Sequence, residues 1–386
     1  MFKLAYIKEK ANGRWKVAVY IKNHHTGKRK RKYNTVDSKK EAKKWAKKVK
    51  AKNEKGVYID SENKKMADIL RKWLEEHKKN IHENTYDGYK IKVESHLIPH
   101  LGEIKITNLN KDDIEYYFEY KRNDGRLDVK EGGLSGNSLK KLYIILKMAM
   151  QYAKNHDLIA ENPVLKYHPP TVEHNEAYHF SEDEVEHLLN AAKEISPWMY
   201  RFIALDLLTG LRRSEISALT WEKVNLQQKY IVIDQTLSYV IGKGTILKNK
   251  TKSESSTRFI TISDKAVNLL LKHKEEQDKI KEILKEKYDD SVDYVFAKEY
   301  GGHFAVGYFN DKFNEILDKA NFSQKYGIHT LRHTFATLCI KKDVGKETLM
   351  SLLGHSSYST TVDFYAHFDL NTKRKATDTL SDDINI

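Results

Sequence analysis

The stretch "HTLRHTFAT", residues 329–337, places two histidines and an arginine within five consecutive positions, with apolar residues around them. In a helix, residues three and four apart stack along one side, so His329, Arg332 and His333 share a face. Such a face can grip one small anion or one metal ion. A second stretch, "LLTGLRRSEISALTWEKVNL" (207–226), interrupts a helical run at Thr209-Gly210, and Arg212 follows at once. There the backbone can carry a guanidinium to a ligand, and Glu215 can hold it through a bidentate pair. A third, "LMSLLGHSSYSTTVDFYAH" (349–367), ends a short helix at Gly354, follows it with His355, and delivers Tyr365 beyond a cap at Ser359 or Thr360.

Around these stretches the composition sets bounds. A chain of 386 residues, 40% hydrophobic, is long enough for two or three domains with real cores. The single cysteine, Cys339, excludes an internal disulfide and a cysteine-rich zinc site, which fits a reducing compartment. "MFKLAYIKEK" lacks the apolar core of a signal peptide, and no run approaches the roughly 20 apolar residues a membrane span needs. The expectation is a cytoplasmic protein with no membrane partner.

The net charge of +14 is unevenly placed. Residues 1–56 hold 20 Lys and Arg against 4 Asp and Glu, whereas the other 330 hold 48 against 50. Runs this dense, "GKRKRKY" (27–33) and "SKKEAKKWAKKVKAK" (38–52), attract a polyanion by releasing its counterions. The segment also reads as folded. "KLAYIKE" and "RWKVAVYIK" alternate at strand spacing around a hairpin signal at Asn12-Gly13, and "HTGK" (25–28) turns into a third strand, "RKRKY". Ser38 and Glu41 form a capping box, after which Ala42, Trp45, Ala46 and Val49 recur at helical spacing. A three-stranded sheet backed by one helix is narrow enough to enter a DNA major groove. Arg14, Lys16, Lys28, Arg29, Lys30 and Arg31 are the candidate DNA-contacting residues.

Residues 65–165 read as a bundle of four or five helices. Met66, Ile69, Leu70, Trp73 and Leu74 form one apolar stripe, and the run from Leu139 to Ala153 forms another. Between them "NKDDIEYYFEYKRN" is a helix capped at Asn110, and "EGGLSGNS" (131–138) is a loop. The proline pair in 166–179 suits an interdomain linker, and 180–386 starts with a capping box at Ser181 and Glu184. The expected fold class is thus multidomain: a small three-stranded β-sheet plus helix (1–56), an all-α bundle (65–165), and a mixed, mainly-α α+β domain with a tail (180–386).

Taken together and in order, "TGLRRSE", "HTLRHTFAT" and "LLGHSSYSTTVDFYAH" resemble the three signature boxes of the tyrosine recombinases, the integrases of phages and conjugative transposons. The resemblance covers the carboxyl-terminal half, and the basic sheet and helical bundle resemble the arm-binding and core-binding domains of the longer integrases. It implies that Arg212 is the first arginine, His329 and Arg332 the paired histidine and arginine, His355 the later histidine, and Tyr365 the nucleophile. A lysine from "ILKNKTKSESSTRFITI" (246–262), on a hairpin turn between two strands, completes the set. Lys252 is preferred, with Lys250 and Lys248 as rivals. Glu215 and His333 are supporting residues.

These residue types suit the chemistry. Phosphodiester attack gathers negative charge on the nonbridging oxygens, and two fixed guanidinium forks stabilise it better than ammonium groups. A tyrosine of pKa about 10 needs a base, which a histidine supplies. The covalent 3′-phosphotyrosyl link conserves the bond for rejoining, so neither ATP nor a metal ion is required. The resemblance further implies a homotetramer on double-stranded DNA with core-type and arm-type sites, assisted by an excisionase or a host DNA-bending protein. Besides a type IB topoisomerase, which shares the chemistry but is disfavoured by the small sheet domain at the front, two alternatives compete: a DNA-binding protein without catalysis, and a metal-dependent hydrolase ligated by His329, His333, His355 and His367. The second lacks the glutamate of H-E-x-x-H, since residue 330 is Thr.

Overall fold

The alternation at the start of the chain becomes an antiparallel sheet in the order β1 (Ala5–Glu9), β2 (Trp15–Lys22), β3 (Arg29–Val36). The computed structural model describes residues 5–11, 13–22, 29–54, 64–128, 132–172, 178–249, 257–323 and 325–354. Val17, Val19 and Ile21 point to one side, where they bury against Ala42, Ala46 and Val49 of α1 (Lys39–Glu54). Register pairs Ala18 with both Tyr6 and Tyr33, and Tyr20 with Arg31, so these residues occupy the opposite, solvent-facing side. The Ser38 hydroxyl accepts from the Glu41 amide at 3.2 Å, which starts α1 where the capping pattern predicts.

A separate apolar core belongs to the helical part of the same unit, which runs to His174. Its helices are α2 (Met66–His77), α3 (Glu83–Ile91), α4 (Ile98–Leu101), α5 (Lys111–Asp124) and α6 (Gly136–Asn155). A π-helical stretch, Lys92–Leu97, joins α3 to α4. The two predicted stripes form this core, and Asn110 caps α5 by accepting from the amides of Asp112 and Asp113. One boundary differs from expectation. Ser135 accepts from the Ser138 amide and caps α6, so 136–138 are the first turn of that helix rather than part of a loop.

The second unit spans Asn175–Ile386. α7 (Glu182–Ile195) and α8 (Pro197–Thr209) lead to the short α9 (Arg213–Ile216). Strands β4 (Val224–Asn225), β5 (Tyr230–Ile233), β6 (Gln235–Val240), β7 (Gly244–Asn249) and β8 (Arg258–Thr261) follow. α10 (Asp264–Leu284), α11 (Tyr308–Lys319), α12 (His329–Lys341) and α13 (Lys346–Leu353) complete the described residues. β7 and β8 do not form the simple hairpin that the lysine-bearing segment suggested. β7 pairs with β6, and β8 pairs with β5 in another sheet. Asn249 faces Gln235 while Arg258 faces Ile233, so β7 and β8 end and begin in different ladders. No helix among the described residues is long and apolar enough to cross a membrane.

Candidate active site and nucleic-acid interface

α8 is apolar on most sides and must stop abruptly for Arg212 to be delivered. Gly210 does this in the left-handed region, with φ 61°, where a side chain is costly. A Cβ there would also meet the Phe335 ring at 2.2 Å. Leu211 then buries, and Arg212 becomes the N-cap of α9. Glu215 bends back to accept from the Arg212 amide at 3.0 Å and from its Nη1 at 3.1 Å. The pairing inferred from the spacing therefore forms, but Glu215 is completely buried and serves a second arginine as well. Arg258, at the start of β8, donates Nη1 and Nη2 to the two carboxylate oxygens at 3.0 and 2.7 Å.

Arg332 reaches the same place from α12. Its Nη1 donates to the Gly210 carbonyl at 2.7 Å and its Nη2 to the Leu353 carbonyl at 2.6 Å. Arg212 donates Nη2 to the next carbonyl, Gly354, at 3.2 Å. Both guanidinium groups thus sit on consecutive carbonyls at the end of α13, which lack intrahelical donors. That adjacency holds the two cations side by side. Burial and the Arg212 cation push the Arg332 guanidinium down from 12.5 to about 10, with Glu215 and Asp206 opposing. Asp206, one turn before the break in α8, is fully buried, and burial raises its carboxyl well above the ordinary range.

His329 opens α12 on the face shared with Arg332. Burial first, then the cations of Arg213, Arg332 and Arg212, lowers its imidazole below 6.5. That shift favours the neutral imidazole. His333 is half-buried beside it and lowered by burial, His329, Arg332 and His179. Thr334 fixes the helix from behind: its hydroxyl donates to the Thr330 carbonyl at 2.8 Å and accepts from the Phe180 amide at 2.9 Å. Lys252, Lys250, His355 and Tyr365 lie outside the described residues, whereas Lys248 lies on β7. The structure thus brings together Arg212, Glu215, His329 and Arg332, and adds Arg258 and Asp206. Asp206 left one mark in the sequence, a lone carboxylate inside the apolar run "FIALDLL".

In the first unit the outer sheet face is aromatic as well as basic. The Arg31 guanidinium lies 5.6, 5.1 and 5.5 Å from the ring centres of Tyr6, Tyr20 and Tyr33, and Lys16 lies 4.9 Å from Tyr33. All three rings remain about half exposed. Arg14 pairs with Asp37 at 2.8 Å, an exposed contact of little weight. Arg29 and Lys30 begin β3, and Lys28 lies outside the described residues. The tyrosines were readable from the strand alternation, but the charge runs drew the candidate set toward lysine and arginine alone.

The sequence signature described as the phage integrase family matches residues 179–371, and that of the phage integrase N-terminal SAM-like domain matches 65–122. A tyrosine recombinase XerC-like protein of Caldanaerobacter subterraneus subsp. tengcongensis is 27% identical over 98% of each chain. Among solved structures, the Tn1549 transposon integrase bound to a circular intermediate DNA has a TM-score of 0.71 at 19% identity, covering 82% of this chain and 100% of its own. The lambda integrase tetramer bound to a Holliday junction has a TM-score of 0.61 at 18% identity, covering 94% of each chain.

Proposed function

This chain belongs to the phage integrase family and is a site-specific DNA recombinase of the tyrosine type, and on that premise we propose how its residues divide the work. Arg212 and Arg332 bind the nonbridging oxygens of the scissile phosphate. The observation that carries this assignment is their placement on the adjacent carbonyls of Leu353 and Gly354, one residue before His355. The Tyr365 oxygen attacks phosphorus, the bond to the 5′ oxygen breaks, and a 3′-phosphotyrosyl ester forms. A neutral His329 suits acceptance of the phenolic proton, and His355 donates to the same phosphate. Lys252 protonates the departing 5′ oxygen. Reversal of these steps by a new 5′ hydroxyl rejoins the strand.

Domain roles follow from charge and shape. The sheet domain, 1–56, binds arm-type DNA through Lys16 and Arg31 on its outer face, with Lys28, Arg29, Lys30 and Arg14 adding to the field. The helical segment, 65–165, grips core-type DNA, 166–179 links it onward, and 180–386 performs the chemistry. The working assembly is a homotetramer on DNA in the cytoplasm, as the lambda integrase tetramer suggests, with an excisionase or host DNA-bending protein setting direction.

The test is covalent trapping. A nicked duplex is recovered from a random-sequence library by its attachment to the parent chain, and Tyr365→Phe is then compared on it. The expected result is unchanged DNA binding with no adduct on a denaturing gel. An adduct that survives the substitution refutes the assignment.

A further inference from the structure

Three arginines meet at Glu215's end of the site, and their geometries separate them by role. Arg258 uses three of its N–H groups on the protein: Nη1 and Nη2 on Glu215, and Nε on the Leu352 carbonyl at 3.4 Å. Its side chain keeps 10% exposure, against 38% for Arg212. These hydrogen bonds commit three of the five N–H groups an arginine carries in its fixed fork, with the two bonds to Glu215 running in parallel. Gly354 packs directly on it. A Cβ at 354 would approach the Arg258 guanidinium carbon at 2.8 Å, and the backbone there is left-handed, with φ 63°. Arg258 therefore touches both groups that hold Arg212: the Glu215 carboxylate and the turn whose carbonyl accepts from Arg212 Nη2.

We infer that Arg258 is a positioning residue for strand cleavage, pinning Glu215 and the Gly354 turn so that Arg212 meets the phosphate in one orientation. The inference rests on reading Arg212 as a phosphate ligand. The physical reason is specific to the fork. Glu215 is buried and needs a fixed countercharge on both oxygens, and one ammonium cannot supply two parallel bonds. Without Arg258 the carboxylate can turn toward Arg212 alone and draw its guanidinium out of line. A displacement of about 1 Å in a catalytic group costs about a hundredfold in rate.

The full chain is assayed on the trapped nicked duplex with Arg258→Ala, Arg258→Lys and Arg212→Lys, alone and combined. Arg258→Ala is expected to bind the duplex as the parent does and to form adduct about a hundredfold more slowly. Guanidinium ion added to Arg258→Ala should restore part of the rate, and Arg258→Ala should add little to the defect of Arg212→Lys. Adduct formation within about threefold of the parent overturns the inference, as does a slow variant with no guanidinium rescue and a fully multiplicative double defect. If Arg258→Ala does not fold, Arg258→Lys decides: it keeps the charge but not the fork, so a parent-like rate overturns the inference and a rate at least about tenfold lower supports it. A parent chain with no Tyr365-dependent adduct would instead overturn the underlying reading, and the same gel displays that outcome separately.

Discussion

Replacing Arg332 by lysine separates anchoring from catalysis. The native guanidinium spans the carbonyls of Gly210 and Leu353 at 2.7 and 2.6 Å and thereby ties the end of α8 to the end of α13. A lysine reaches one of them, so one charged hydrogen bond is lost, about 1.5–3 kcal/mol. For a unit of this size that lowers Tm by roughly 3–12 °C. Charge is at risk as well. Burial disfavours charge here, lowering even an arginine to about 10, and an ammonium starts lower and lacks the delocalised charge that keeps an arginine protonated. Loss of a transition-state donor costs about 3–4 kcal/mol, or roughly 10²–10³ in rate. The assay is single-turnover adduct formation on the nicked duplex, at a temperature where the melting curve shows the variant fully folded. A folded Arg332→Lys chain that cleaves within about threefold of the parent would refute the phosphate role, because anchoring alone requires no change in chemistry.

Two further predictions concern the rest of the molecule. His273 on α10 donates Nε2 to the Val295 carbonyl at 2.7 Å, accepts from Arg201 at Nδ1, and is pushed down to about 4, chiefly by burial. Its folded value lies below the unfolded 6.5, so the associated stability is complete above 6.5 and lost as pH falls toward 4. About 3 kcal/mol is at stake, and His273→Gln should flatten the Tm profile across that window; an unchanged profile counts against it. Arg31→Ala should weaken binding to arm-type duplexes and reduce the salt slope by about 1, with core cleavage unchanged. A titration series at several salt concentrations measures both, and an unaltered slope removes Arg31 from the interface.

What the sequence discloses and what it conceals differ by range. Arg212 with Glu215, His329 with Arg332, and the glycine stops at 210 and 354 are set by spacings of one to four residues, which helical geometry translates directly into position. The serine cap at Ser38 and the capping box at Ser181 were legible for the same reason. Arg258 was not, because its partner lies 43 residues away and nothing in "SSTRFITI" distinguishes it from a polar residue on a half-exposed strand. The partners of β7 and β8 were illegible for a similar reason: alternation identifies strands but not which neighbour each will choose.

In the proposed assignment Arg212, His329 and Arg332, all legible at short range, meet the phosphate, while Arg258, found only in the fold, holds Arg212 in place. Glu215 belongs to both sets, since its local pairing with Arg212 was foreseeable and its bidentate pairing with Arg258 was not. A buried carboxylate between two guanidinium groups has its orientation fixed by both. The direction in which Arg212 points is therefore decided as much by β8 as by α9, and the catalytic geometry exists only once those distant segments have met.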